Sequence, residues 1–131
     1  MPEDAQLLLA AAELAREQAY APYSHFFVGA AVMSGRGKMY AGCNVENASY
    51  GLSVCAERTA VFAAVAAGER AIHGLAVVTD AREPSMPCGA CRQVLQEFAA
   101  SPDIPITLAS TEGGVVRLTL AELFPHPFSL P

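Results

Sequence analysis

Apolar and polar positions follow two rhythms along this chain, one helical and one strand-like, and their order predicts most of its elements. Residues 4–19 carry Leu7, Leu8, Ala11, Leu14, Ala15 and Gln18 along one side at helical spacing. The helix is expected to end before Pro22, because the residue preceding a proline resists helical geometry. Phe26 to Met33 reads as a strand, Ser34-Gly35-Arg36-Gly37 supplies turn chemistry, and Lys38 to Cys43 returns as the hairpin partner. A loop from Asn44 to Ser53 leads into a second helix from Val54 to Ala67, stopped by Gly68, which suits a left-handed cap. Ile72 to Thr79 is an almost unbroken apolar run, the mark of a strand covered on both faces. A third helix begins near Cys88 and fades at Ser101-Pro102. Ile104 to Ala109 and Val115 to Leu118 are strands about the Glu112-Gly113-Gly114 turn. Thr119-Leu120-Ala121-Glu122 has capping-box spacing for a last short helix. The order αββαβαββα predicts a three-layer α/β/α fold around a central five-stranded mixed sheet.

Residues 1–131 read as a single domain, long enough for a core of its own. No apolar run approaches the roughly 18 residues of a membrane span. Glu3 and Asp4 stand where a secretory signal carries basic residues. The expected setting is the cytoplasm, where thiols stay reduced and clustered cysteines more often hold metal. A net charge of −5, with the eight basic residues scattered, argues against a nucleic-acid partner and for a small substrate. The composition is 53% hydrophobic and alanine-rich, with a mean hydropathy of +0.30. That is much apolar surface for a small chain to hide, and it implies burial between subunits.

The candidate chemistry lies in Cys55-Ala56-Glu57 and in Pro87-Cys88-Gly89-Ala90-Cys91. Each cysteine falls at a predicted helix beginning, where backbone N–H groups and the helix dipole favour thiolate. Three thiols at this spacing can hold one zinc ion and leave its fourth position open, the arrangement of catalytic rather than structural sites. Glu57, two residues beyond the first thiol, is placed to carry protons. Three thiolates around a divalent cation leave an excess negative charge, which Arg58 or Arg92 could offset; Arg58 is favoured. Cys43 as a fourth, structural ligand and Cys88/Cys91 as a redox dithiol are the competing readings. A redox dithiol explains neither Cys55 nor Glu57. His25, His73 and His126 fall outside the motif spacing.

The pattern matches that of zinc-dependent nucleobase deaminases in their three-cysteine form. Further segments extend the likeness: Tyr20-Ala21-Pro22-Tyr23-Ser24-His25-Phe26, Gly42-Cys43-Asn44-Val45-Glu46-Asn47, Cys55-Ala56-Glu57-Arg58-Thr59-Ala60, and Pro87-Cys88-Gly89-Ala90-Cys91-Arg92-Gln93-Val94. Together they resemble the small homotetrameric cytidine deaminase family over nearly the whole chain. The resemblance implies Zn2+, one per subunit, on Cys55, Cys88 and Cys91, with Glu57 catalytic and Arg58 neutralising thiolate charge. It implies a nucleoside substrate, with Phe26 against the base, the Ala56 backbone touching it, and Asn44 and Glu46 on the ribose 3′-hydroxyl. Ala48, Tyr50 and Phe128 would complete the sites of neighbouring subunits. The expected reaction is hydrolysis of free cytidine and 2′-deoxycytidine to the uridines, in pyrimidine salvage. His25 departs from the Lys or Arg that many relatives carry there. A blasticidin S deaminase and a zinc-stabilised binding domain are the alternatives; the Asn44/Glu46 pair speaks against the first and Glu57 against the second.

Overall fold

The computed structural model describes residues 1–131. Helix α1 (Glu3–Arg16) carries Glu3 and Asp4 in its first turn and Arg16 in its last, so both ends complement the helix dipole. Strands β1 (Val28–Ser34) and β2 (Met39–Cys43) form the expected hairpin. Helix α2 (Ala56–Ala66), strand β3 (Ile72–Thr79) and helix α3 (Gly89–Phe98) follow. Strands β4 (Pro105–Ser110) and β5 (Val115–Thr119) and the short helix α4 (Leu120–Leu123) complete the chain. At α4, Thr119 and Glu122 exchange side-chain-to-backbone hydrogen bonds as the capping-box spacing predicts.

The five strands lie in the order β2-β1-β3-β4-β5, and only β3 and β4 run parallel. Strand alternation divides the core into two layers. On one face Ala31, Met33, Ala76, Val78 and Ala109 meet Leu8 and Ala12 of α1. On the other, Ala30, Val32, Leu75, Val77, Ile106 and Leu108 meet Ala60, Val61 and Ala64 of α2, Leu95 of α3, and Leu120 and Leu123 of α4. The result is the expected three-layer sandwich.

Helix α1 corrects the sequence reading twice. It turns Ala5, Leu8 and Ala12 inward, while Leu7 and Leu14 stay 45% and 67% exposed. The reason is close approach: a Cβ on Gly29 would meet the Ala12 carbonyl oxygen at 1.9 Å, so only a small side chain fits between helix and strand. The helix also ends at Arg16, before the predicted limit at 19. The chain is then needed for a bridge in which Tyr20 N donates to Asn44 O at 3.0 Å and Glu46 N to Tyr20 O at 2.8 Å. Helix α2 approaches its strand as closely, since a Cβ on Gly42 would lie 2.3 Å from Thr59 Oγ1 and 2.5 Å from Ala60 N.

Candidate metal centre and active site

Two helix beginnings meet at one end of the sheet. Cys55 and Cys88 are the N-cap residues of α2 and α3, and Cys91 lies in the first turn of α3. The loop after β3 carries the chain from the carboxyl end of that strand to Cys88, a place where α/β sheets commonly bind ligands. The three Sγ atoms all lie within 4.8 Å of one another. Cys55 Sγ is 3.8 Å from Cys88 Sγ, and Cys88 Sγ is 3.4 Å from Cys91 Sγ. Cys43, half-buried at the end of β2, is not part of this group, and burial pushes its thiol up. The four-cysteine reading therefore finds no support in the fold.

The electrostatics of the trio fit a soft cation. A hydrogen bond from Cys91, helped by Arg58 and Cys88, pulls the Cys55 thiol down to about 5 against the cost of its burial. The same bond, and then burial, drives Cys91 far upward. One sulfur ionises readily while its neighbour resists, because thiolates this close repel one another. A divalent ion that prefers sulfur lets all three ionise, and zinc suits a redox-silent tetrahedral shell of this kind. Arg58 Nη2 donates to Cys55 Sγ at 3.5 Å. Arg92 is used otherwise: its Nε donates to Pro87 O at 2.8 Å and its Nη1 to Leu123 O at 2.7 Å, tying the start of α3 to α4. Of the two candidate arginines, Arg58 reaches the sulfurs.

Glu57 is 7% exposed, and that burial, with the Cys55 charge adding to it, pushes its carboxyl up to about 7. Such a group can take and return a proton near neutrality. It lines a cavity of about 200 Å³ together with Cys55, Ala56, Cys88, Phe26 and Asn44. Val28, Val77, Thr79, Ser85 and Met86 complete the walls, and none of these five stood out in the sequence. Ser85 and Met86 directly precede Pro87-Cys88, and Val77 and Thr79 share one face at the end of β3. Those positions were the available signals.

The residues expected to meet a nucleoside are not all gathered in that cavity. Asn44 lines it, with Oδ1 accepting from Val28 N at 2.9 Å and Nδ2 donating to Phe26 O at 2.7 Å. Glu46 instead lines a second hollow of about 260 Å³ with Tyr23, Ser24, Tyr50 and Ser53. Its Oε1 accepts from Tyr23 N and Ser24 N, each at 3.1 Å. Ala48, Tyr50 and Phe128 lie outside the cavity that holds Glu57, and Tyr50 and Phe128 are 77% and 66% exposed. Tyr50 meets Tyr23 edge to face, with ring centroids 6.3 Å apart.

A three-layer α/β/α sandwich that joins two helix starts through three sulfurs, with a buried carboxylic acid beside them, defines a zinc-dependent hydrolytic enzyme. Residues 2–106 match the family model for the cytidine and deoxycytidylate deaminase zinc-binding region. This chain belongs to that family. A cytidine deaminase of Sporosarcina psychrophila is 48% identical over 126 residues, covering 96% of this chain and 92% of its own length. One from Halalkalibacterium halodurans is 47% identical over 126 residues, covering 96% and 95%. The crystal structure of a cytidine deaminase from Burkholderia pseudomallei superposes with a TM-score of 0.90 at 48% identity, covering 98% of this chain and all of the other.

Proposed function

We propose that this chain hydrolyses the C4 amino group of free cytidine and 2′-deoxycytidine, giving the uridines and ammonia, as a step of pyrimidine salvage in the cytoplasm. The observation that carries the reading is the shared cavity: Glu57, two of the three clustered cysteines, Phe26 and Asn44 all face one small space. No Lys or Arg lines that cavity or the hollow around Glu46. That favours a nucleoside over a nucleotide, whose phosphate calls for basic partners.

The residues divide the work by chemistry. Cys55, Cys88 and Cys91 hold zinc, which when bound supplies the Lewis acidity that makes water a nucleophile near neutral pH. Arg58 offsets the thiolate charge. Phe26 lies against the pyrimidine face, and the Ala56 backbone fixes one polar edge of the base. Asn44 and Glu46 receive the ribose 3′-hydroxyl. Glu57 takes one proton from the attacking water and passes it to ring N3, then takes the remaining proton from the new C4 hydroxyl and passes it to the departing amine. The C4–N4 bond breaks as a C4 carbonyl forms. Ala48, Tyr50 and Phe128 serve the site of a neighbouring copy, so the working unit is a homotetramer.

The test is an ultraviolet assay of purified protein against cytidine, deoxycytidine, deoxycytidylate, adenosine and blasticidin S. Turnover of the first two alone is expected. Preference for deoxycytidylate or blasticidin S overturns the nucleoside assignment, and no turnover of any substrate by zinc-loaded protein overturns the enzyme reading.

A further inference from the structure

His25 has φ +56°, making it the one residue other than glycine in the left-handed region. It closes a single turn in which its own N–H donates to Ala21 O at 3.0 Å. That closing position normally takes glycine, because a Cβ there crowds the backbone. The strain sits one residue before Phe26, whose ring lines the cavity.

Four hydrogen bonds close over this turn. The Ser24 hydroxyl accepts from Phe26 N at 3.0 Å, spanning His25, and donates to Glu46 Oε2. Glu46 Oε1 holds Tyr23 N and Ser24 N. A carboxylate offers about four acceptor positions, so three are committed to the turn and one remains on the oxygen that Ser24 touches. From this geometry we propose that Ser24 is a positioning residue: its hydroxyl clamps the strained turn at His25 and thereby sets the Phe26 ring. Through the same hydroxyl, the carboxylate that meets the sugar also orients the aromatic wall that meets the base. The inference rests on the nucleoside reading above, in which Phe26 and Glu46 contact substrate.

Removing the hydroxyl lets His25 relax toward negative φ and carries Phe26 with it. Ser24→Ala is expected to raise KM for cytidine roughly tenfold with kcat within about threefold, the pattern of lost binding rather than lost chemistry. Ser24→Thr keeps the hydroxyl and is expected to stay near the parent. The discriminating chain is Ser24→Ala with His25→Gly. Glycine has no preference against the left-handed turn, so the second change should recover at least about a third of the lost affinity on a logarithmic measure. A simple packing defect at position 24 has no reason to be repaired that way. Amide exchange gives a reading apart from activity, since the Phe26 N–H should exchange faster in Ser24→Ala.

A parent-like KM in Ser24→Ala, an equal loss in Ser24→Thr, or no recovery in the double variant overturns the proposal. So does equal protection of the Phe26 amide, or a global loss of fold in Ser24→Ala, which would give the hydroxyl a role beyond the turn. Failure of the parent to turn over cytidine overturns the nucleoside reading instead, while amide exchange still reads the clamp.

Discussion

Glu57 and Glu69 are both buried carboxylic acids, and their surroundings drive them in opposite directions. Burial favours the protonated form of Glu57. Replacing it with glutamine keeps its shape and removes its ability to cycle protons. Glu57→Gln is expected to retain one zinc per chain and lose about 10²–10⁴-fold in kcat. Near-parent turnover in a zinc-loaded variant would reject the proposed role. Glu69, in the turn just beyond α2, accepts from Arg36 at 3.1 Å and from the Tyr40 hydroxyl at 2.9 Å, and these partners hold it below its ordinary value of 4.5. A depressed carboxylate stabilises the fold in full above its unfolded pKa, and that contribution is lost as pH falls through the lower folded pKa. The melting temperatures of the parent and Glu69→Gln should therefore differ most near neutrality and converge below pH 4.5. A difference independent of pH would show that the ion pair contributes nothing through its charge.

The close contact between α2 and β2 rests on a missing side chain. Gly42→Ala forces a Cβ into the backbone of Thr59 and Ala60. Overpacking of this kind is expected to cost about 1–3 kcal/mol in urea unfolding. Parent-like stability would mean the helix can shift away freely. The same closeness explains what the chain's pattern could and could not reveal. Strand β3 was legible to the residue because its apolar run has no competing rhythm, and α4 because its cap is local. The inward face of α1 was not, since periodicity selects the greasiest side while packing at Gly29 selects the smallest. The three sulfurs and Glu57 were legible as rare, reactive types at short spacing. Val77, Thr79, Ser85 and Met86 were not, because non-local pairing decides which strand end faces the helix starts.

The whole chain leaves Leu7, Leu14, Tyr50, Phe62 and Phe128 exposed, apolar surface available to other copies of the chain. If copies cover it by closed symmetry, each site borrows residues it lacks. Light scattering should find a tetramer, and Phe128→Ala should weaken cytidine binding despite its distance in sequence from the cysteines. A fully active monomer would reject both. The sulfur trio has a further, mechanical consequence. Cys55 and Cys88 stand 33 residues apart in sequence, so an ion between them staples two helix starts and closes the chain that separates them. By loop-closure reasoning, a bond across such an interval removes about 3–4 kcal/mol of unfolded-state freedom. Chelation should therefore lower the melting temperature and speed proteolysis in the loop before Cys88, and a chelated, zinc-free protein that melts like the parent would refute this. Metal uptake and the meeting of the two helix starts are then linked events, each drawing the other forward.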